Sequence, residues 1–118
     1  MRSQAFPKTQ RLTSKKLIEQ LFEQGKAVNL NPLRLIFLQN PTQEKTATQA
    51  LFTVPARNFK RAVDRNLLKR RMREAYRLNK SQLPPNPKWL LAYIYVAKEI
   101  LPYPLIEQKM VEALKRLK

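Results

Sequence analysis

The sequence predicts an α+β fold, a small α/β sandwich in which helices pack on a β-sheet. Helical and strand patterns alternate along the chain in the order helix, two or three strands, helix, strand, helix. The chain has 118 residues, of which 43% are hydrophobic, and this is enough for one domain with its own core. We therefore expect residues 1–118 to form a single domain in which residues 1–11 are a loose basic arm.

The first helix is predicted within LTSKKLIEQLFEQG, residues 12–25. Its apolar side chains recur at the spacing of one helix face: Leu17, Ile18, Leu21 and Phe22. Thr13 or Ser14 can cap the first turn, because a hydroxyl oxygen there accepts a hydrogen bond from a free backbone N–H. Gly25 is the only glycine in the chain, and we expect it to end the helix in the left-handed conformation.

Short apolar runs between helix breakers predict the strands. LRLIFLQ (residues 33–39) lies between two prolines, and ALFTVP (residues 50–55) follows a polar stretch that suggests a hairpin connection. KAVNL (residues 26–30) can add a short edge strand. WLLAYIYVA (residues 89–97) is apolar at both odd and even positions, which is typical of a strand buried on both faces.

The last helix is predicted in YPLIEQKMVEALKRLK, residues 103–118. Pro104 suits a helix start, because a proline lacks the backbone N–H that the first turn would leave unpaired. The core-facing side chains fall on one helical stripe: Ile106, Met110, Ala113, Leu114 and Leu117.

A basic helix is predicted at residues 62–79, and its two sides differ in chemistry. At 100° per residue, one stripe is suited to the core: Leu68, Met72, Ala75, Tyr76 and Asn79. The neighbouring side, here called the cationic flank, carries only Lys and Arg: Lys69, Arg70, Arg73, Arg77 and Lys80. Like charges four residues apart weaken a helix, so local stability does not explain this flank.

The charge balance of the whole chain points to a polyanionic partner. Twenty-four Lys and Arg against eight Asp and Glu give a net charge of +16. Folding this charge into a small volume costs self-repulsion, and a phosphate backbone relieves it while releasing its own counterions. Because the basic helix offers few Asn or Gln that could read bases, we interpret it as a surface that contacts nucleic-acid phosphates.

Catalysis by the chain itself is not expected. It has no His and no Cys, and its eight carboxylates are scattered, so neither a general base of the usual kind nor a metal site is indicated. The longest apolar run, residues 89–97, is far shorter than the roughly 20 residues of a membrane helix. Residues 1–13 lack the apolar centre of a signal peptide, and we expect a cytoplasmic protein without a membrane partner.

KRAVDRNLLKRRMREAY, residues 60–76, resembles the signature of the protein subunit family of bacterial ribonuclease P. Spacing and residue type match at Ala62-Val63, Arg65-Asn66, Lys69-Arg70 and Arg73. The similarity extends to FPKTQRLTSKKLIEQLFEQG before this segment, and to ALFTVP and WLLAYIYVAKE on its two sides. Leu67 and Asn58 depart from the pattern, since the family usually has cations there. Arg71 is one turn from Leu67, and our hypothesis is that it supplies the displaced charge.

The resemblance implies a fold like the second domain of a small-subunit ribosomal protein, with a left-handed β-α-β crossover around the basic helix. It implies binding to the catalytic RNA subunit and to precursor tRNA, with Mg²⁺ held by the RNA and no protein partner required. The expected RNA-binding residues are Arg57, Lys60, Arg61, Arg65, Asn66, Lys69, Arg70, Arg71, Arg73 and Arg77.

A cleft between the first helix and the sheet is expected, again from the resemblance, to receive the 5′ leader of precursor tRNA. The matching positions are Ile18, Phe22, Ile36 and Phe37. Phe22 and Phe37 can stack on unpaired bases, but they can equally be core residues, and the sequence leaves both readings open. Two other functions also stay open at this stage: a structural rRNA-binding ribosomal protein, and a DNA-binding module that uses the basic helix.

Overall fold

The elements of the chain follow the predicted order. The computed structural model describes residues 8–41, 48–84 and 87–117. Its helices are α1 (Lys15–Gln24), α2 (Ala62–Asn79) and α3 (Tyr103–Lys115), and its strands are β1 (Lys26–Leu30), β2 (Leu33–Gln39), β3 (Gln49–Thr53) and β4 (Trp89–Tyr95). Short 3₁₀ helices span Lys8–Gln10 and Lys80–Gln82. The predicted α+β class is confirmed, and the edge strand at KAVNL is present as β1.

The sheet has the order β1-β2-β4-β3, which differs from the sequence prediction in one pairing. The prediction of a β2–β3 hairpin is wrong, because β4 lies between these two strands. β4 is antiparallel to β2 and parallel to β3. A strand with large apolar side chains on both faces buries more of its surface inside a sheet than at an edge. This favours the interior position that β4 occupies.

Helix α2 connects the parallel pair β3 and β4. It leaves the sheet after β3 ends at Thr53, runs back along one face, and leads into β4 at Trp89. A parallel pair requires such a crossover, since a tight turn can join only antiparallel strands. The left-handed sense of this crossover stays a prediction.

Two apolar clusters lie on opposite faces of the sheet. On one face, α2 and α3 cover the side chains of Leu35, Leu91 and Tyr93, which form the larger cluster. On the other face, α1 packs on a smaller cluster that includes Ile36 and Leu90. Neighbouring residues of β2 and β4 therefore point to different clusters, as the alternation of a strand requires.

The predicted core stripes of the two longer helices are confirmed except at Asn79, which is only half-buried. In α2, the buried residues are Leu68, Met72, Ala75 and Tyr76. In α3, they are Ile106, Met110, Ala113 and Leu114, followed by Leu117 just after the helix. Pro104 lies in the first turn of α3, as expected.

The two ends of α1 are formed differently from each other. Ser14 caps the start, since its hydroxyl oxygen accepts a hydrogen bond from the backbone N–H of Leu17 at 3.3 Å. Gly25 follows the last turn, but its φ of −74° and ψ of 159° are extended, so the predicted left-handed conformation is wrong. Glycine is required there by space: a Cβ would lie 2.5 Å from the carbonyl oxygen of Leu21 and 2.9 Å from Cγ2 of Ile36.

The segment before α1 lies against the open edge of β3. The backbone N–H of Leu12 donates to the carbonyl oxygen of Ala50 at 2.9 Å, and Arg11 forms a bridge with the same residue. Residues 8–12 thus differ from the loose arm that the sequence suggested. Residues 1–7 of that arm lie outside the described residues.

Candidate RNA interface

The middle of α2 presents cations to solvent. Arg70 and Arg73 are exposed, and Lys69 is half-buried beside them. Among residues 8–41, 48–84 and 87–117, none of these three side chains has a hydrogen-bond or ion-pair partner. Their positive charges are therefore available to an anion, as the helical geometry predicted.

A second set of cations precedes α2. Arg57, Lys60 and Arg61 are exposed in the segment between β3 and the helix, and Asn66 is exposed in its first turns. In the part of the chain that the structure describes, these four side chains are also unpaired. The segment leads directly into α2, which carries the cationic flank.

Arg65 holds this segment in place. Its Nη1 donates to the carbonyl oxygens of Phe59 at 2.7 Å and Lys60 at 2.9 Å. No side chain caps the start of α2 at Arg61. The guanidinium of Arg65 therefore fixes the entry to the helix and is half-buried in doing so. Arg65 is a predicted RNA-binding residue, and in this structure it positions the neighbouring predicted residues Lys60 and Arg61.

Arg71 makes a contact that the sequence did not suggest. Its Nη1 donates to the carbonyl oxygen of Leu101 at 2.8 Å, which joins α2 to the segment before α3. Tyr95 holds the same segment, because its hydroxyl donates to the carbonyl of Glu99 and accepts from the N–H of Leu101. The structure thus gives Arg71 an internal partner, and its predicted role as a displaced RNA contact stays a hypothesis.

Arg77 has a carboxylate partner one turn back. Its Nε and Nη2 donate to the two carboxylate oxygens of Glu74 at 3.1 and 2.7 Å. These hydrogen bonds lower the pKa of the Glu74 carboxyl below its ordinary value. The repulsion expected along the cationic flank is therefore partly compensated at this end.

Lys80 ends the cationic flank and contacts the N-terminal segment. Its Nζ donates to Oε1 of Gln10. Burial, followed by the nearby charge of Arg77, lowers the pKa of the Lys80 ammonium. A bound phosphate would favour the charged form and raise this pKa again.

The α1 side of the sheet brings together three of the four predicted cleft residues. Ile18 packs against the smaller cluster, to which Ile36 belongs. Phe22 is one turn after Ile18 on α1 and is 47% exposed, so its ring is open to solvent. Phe37 lies on the opposite face of the sheet, where its ring meets that of Trp89 edge to face at 5.8 Å.

Sequence reasoning missed Arg34 as a candidate for the same cleft. It is exposed, and it precedes Ile36 by two residues on β2, so both side chains lie on the α1 face. Its Nη1 is 3.5 Å from Oδ1 of Asn29. The period of two along β2 is the signal that could have identified it.

The comparison with known proteins identifies the family. The family model described as Ribonuclease P matches residues 6–118. This chain belongs to the ribonuclease P protein family. Members are accessory subunits of an endoribonuclease that processes tRNA, and this is the role of the present chain.

Individual ribonuclease P proteins resemble the chain over most of its length. The protein component of Porphyromonas gingivalis is 32% identical over 115 residues, which cover 93% of this chain and 84% of that protein. The component of Chlorobium phaeobacteroides is 43% identical over 75 residues, covering 61% of this chain and 51% of the other. The ribonuclease P protein of Thermotoga maritima has the same fold, with a TM-score of 0.76 at 24% identity over 92% of this chain and 97% of that one.

The acidic residues that the structure describes in this ribonuclease P protein are dispersed. Over the described residues there is no group of three or more His, Cys, Asp or Glu that could hold a metal ion. In the same residues, no helix has the length and apolar character needed to cross a membrane.

Proposed function

We propose that this chain binds the RNA subunit of ribonuclease P through the cationic flank of α2 and the basic segment before it. The observation that carries this proposal is a set of exposed cations without a partner among the described residues: Arg57, Lys60, Arg61, Arg70 and Arg73. Each phosphate that a cation neutralises releases a condensed counterion, which favours association at moderate salt. Arg65 and Arg71 support the surface from within, because their guanidinium groups hold the segments at either side of α2.

The second part of the proposal places the 5′ leader of precursor tRNA on the α1 face. Phe22 offers an exposed ring to an unpaired base, and Ile18 and Ile36 form the apolar floor beside it. Arg34 on the same face can contact a leader phosphate. A chain with a net charge of +16 between two RNAs also reduces their mutual repulsion.

Hydrolysis of the phosphodiester bond is assigned to Mg²⁺ held by the RNA partner. The carboxylates of the described residues form no group that fits a metal ion, so this part of the chain does not suit such a site. Mg²⁺ would polarise the phosphate and activate water at the scissile bond. The contribution of this chain is to bind and position the two RNAs in the cytoplasm.

Reconstitution tests the proposed function. The full chain is added to a bacterial ribonuclease P RNA, and cleavage of precursor tRNA is measured at low Mg²⁺. We expect the chain to stimulate removal of the leader, because it replaces part of the charge screening that Mg²⁺ provides. The absence of stimulation would contradict the proposal, and cleavage by the chain without RNA would contradict the absence of a protein active site.

Replacing Phe22 tests the leader cleft. Phe22→Ala removes an exposed ring, so it leaves the fold intact, and it should weaken binding of precursor tRNA by roughly fivefold or more, as loss of one stacked base does. Binding of mature tRNA should not change. Ile100→Ala, at another exposed apolar residue, is the matched control. Equal effects of Phe22→Ala on precursor and mature tRNA would exclude this cleft as the leader site.

A further inference from the structure

Glu74 lies beside the cationic flank of α2, with arginines one turn away in both directions. Arg70 and Arg71 precede it by four and three residues, and Arg77 follows it by three. The structure pairs the carboxylate of Glu74 with Arg77, whose Nε and Nη2 donate to Oε1 at 3.1 Å and to Oε2 at 2.7 Å. Arg71 donates to the carbonyl of Leu101 instead, and Arg70 is unpaired within the described residues. The flank therefore has one neutralised cation next to others that are open.

The contact between Glu74 and Arg77 has the geometry with which a guanidinium binds a phosphate. Two nitrogens of Arg77 meet the two carboxylate oxygens of Glu74, and a phosphate offers an equivalent pair of oxygens to the same fork. Through these two nitrogens, Arg77 can hold the carboxylate or a phosphate, but not both at once. Glu74 and an RNA phosphate are therefore competing ligands of one group.

The pair is open to solvent, which allows one ligand to replace the other. The exposed fraction of the side chain is 46% for Glu74 and 30% for Arg77. Exposed ion pairs contribute little to stability, because water screens the attraction and two long side chains lose rotamer freedom. A phosphate of RNA brings a gain that Glu74 lacks, the release of condensed counterions. The balance at Arg77 therefore favours the phosphate when RNA is bound.

The neighbouring cations explain why Arg77 has an anion beside it in the free protein. Arg73 is one turn before it, and Lys80 follows it by three residues. Burial, and then the charge of Arg77, lower the pKa of the Lys80 ammonium. The hydrogen bonds from Arg77 lower the pKa of the Glu74 carboxyl, so this group is ionised at neutral pH. Its negative charge reduces the repulsion among the three cations until a phosphate does so.

We propose that Glu74 holds Arg77 in the free protein and that a phosphate of the RNA subunit takes its place in the complex. The carboxylate then turns to solvent, which its exposed position permits. Glu74 thereby lowers the affinity for RNA, because binding at Arg77 requires that the pair first break. It acts through Arg77 as a positioning residue. This inference rests on the proposed binding of the RNA subunit by the cationic flank.

Glu74→Gln tests whether the carboxylate opposes binding, since it removes the charge and keeps the shape of the side chain. Retention of labelled RNA subunit on filters gives the affinity of the full chain at several salt concentrations. We expect the affinity to rise about twofold to fivefold at moderate salt, the range for an exposed ion pair that no longer has to break. Thermal unfolding should change little, because the pair is exposed.

Arg77→Ala tests whether the exchange takes place. If a phosphate replaces Glu74, Arg77 contacts RNA in the unaltered chain, and the slope of log affinity against log salt should shrink by about one unit in Arg77→Ala. If Glu74 stays on Arg77 in the complex, the slope should shrink only when Arg77→Ala is made together with Glu74→Gln. We expect the first result.

Glu112 and Lys109 on α3 provide a matched control. Lys109 Nζ lies 3.2 Å from Oε1 of Glu112, the residues have the same spacing of three, and their exposed fractions are a similar 28% and 41%. Glu112→Gln changes the net charge by the same amount as Glu74→Gln, but away from the cationic flank. It should leave the affinity for the RNA subunit unchanged.

The outcomes separate this inference from the proposed function. Unchanged or lower affinity in Glu74→Gln, an unchanged slope in Arg77→Ala, or an equal rise in Glu112→Gln would each overturn the exchange and leave the proposed function standing. A rise of affinity for precursor tRNA alone, with none for the RNA subunit, would overturn the assignment of the phosphate to the RNA subunit. No retention of the RNA subunit by the unaltered chain would overturn the proposed function and the exchange together.

Discussion

The arginines of α2 are of two kinds. Some present their charge to solvent, and others donate hydrogen bonds within the protein. Arg70 and Arg73 are exposed and unpaired within the described residues, whereas Arg65 and Arg71 donate to backbone carbonyls. A helical wheel places Arg70 and Arg73 on the cationic flank and leaves Arg65 and Arg71 outside it, but it does not show which groups the latter two contact. Their carbonyl partners at residues 59, 60 and 101 are reached by long side chains, and no spacing rule encodes such contacts.

Arg73 is expected to make one phosphate contact. Arg73→Ala should lower affinity for the RNA subunit, and the slope of log affinity against log salt should shrink by about one unit. Fold stability should not fall, since the side chain has no partner in the described structure. Titrations at several salt concentrations measure the slope, and Arg116→Ala, an exposed cation after α3, serves as the control. An unchanged slope would show that Arg73 does not touch phosphate.

Arg71 is expected to act mainly on stability. Arg71→Leu leaves the carbonyl of Leu101 without its partner and should lower the free energy of unfolding by about 1–3 kcal/mol. Urea denaturation measures this loss, and Arg71→Lys should recover part of it. Titration of the same variant with RNA also tests the hypothesis of displaced charge. If affinity at moderate salt is unchanged once the variant is folded, that hypothesis is wrong.

At the scale of the elements, the sequence predicted where helices and strands begin and end better than it predicted which strands pair. The α2 bounds at residues 62 and 79 and the β2 bounds at residues 33 and 39 agree with the prediction, because periodicity, prolines and caps are local signals. Strand pairing is a relation between distant segments, and this is why the β2–β3 hairpin was wrong. For the same reason the sequence did not show which face Phe37 occupies: β2 is apolar at both parities between Leu35 and Leu38.

Gly25 joins α1 to β1, and replacing it tests how closely α1 packs against the sheet. Gly25→Ala would place a Cβ within 3.0 Å of two backbone oxygens and of Ile36. These atoms belong to α1 and β2 and cannot move independently, so we expect a loss of about 1–3 kcal/mol in unfolding free energy. Thermal and urea unfolding measure it. Gln24→Ala, at the exposed neighbouring residue, should have little effect.

At the scale of the whole molecule, a core rich in aromatic side chains stabilises a protein whose net charge of +16 is self-repulsive. Tyr93 is fully buried between the sheet and α2, and its ring stacks on Phe52 with centroids 5.5 Å apart. Burial raises the pKa of the Tyr93 hydroxyl well above its ordinary value, and burial does the same for Tyr76. The Tyr93 hydroxyl has no hydrogen-bond partner within the described residues.

Stability should therefore fall at alkaline pH. Above pH ~10 an unfolded tyrosine loses its proton while buried Tyr93 keeps it, so each such group lowers the unfolding free energy by about 1.4 kcal/mol per pH unit. Tyr93→Phe should reduce this slope by one group and keep or improve stability at pH 8. Tyr95→Phe should instead lose about 1–3 kcal/mol at pH 8, since that hydroxyl makes two hydrogen bonds. Denaturation curves from pH 8 to 11 check both, and an equal slope in Tyr93→Phe would contradict the account.

The interior position of β4 also has a consequence for synthesis on the ribosome. β2 and β3 are hydrogen-bonded to β4 and not to each other, and β4 begins only at residue 89 of 118. While the preceding residues emerge, β1 and β2 can pair with each other, but β3 lacks the strand to which it is hydrogen-bonded. We therefore expect the nascent chain to complete its sheet only after Tyr95 has left the exit tunnel.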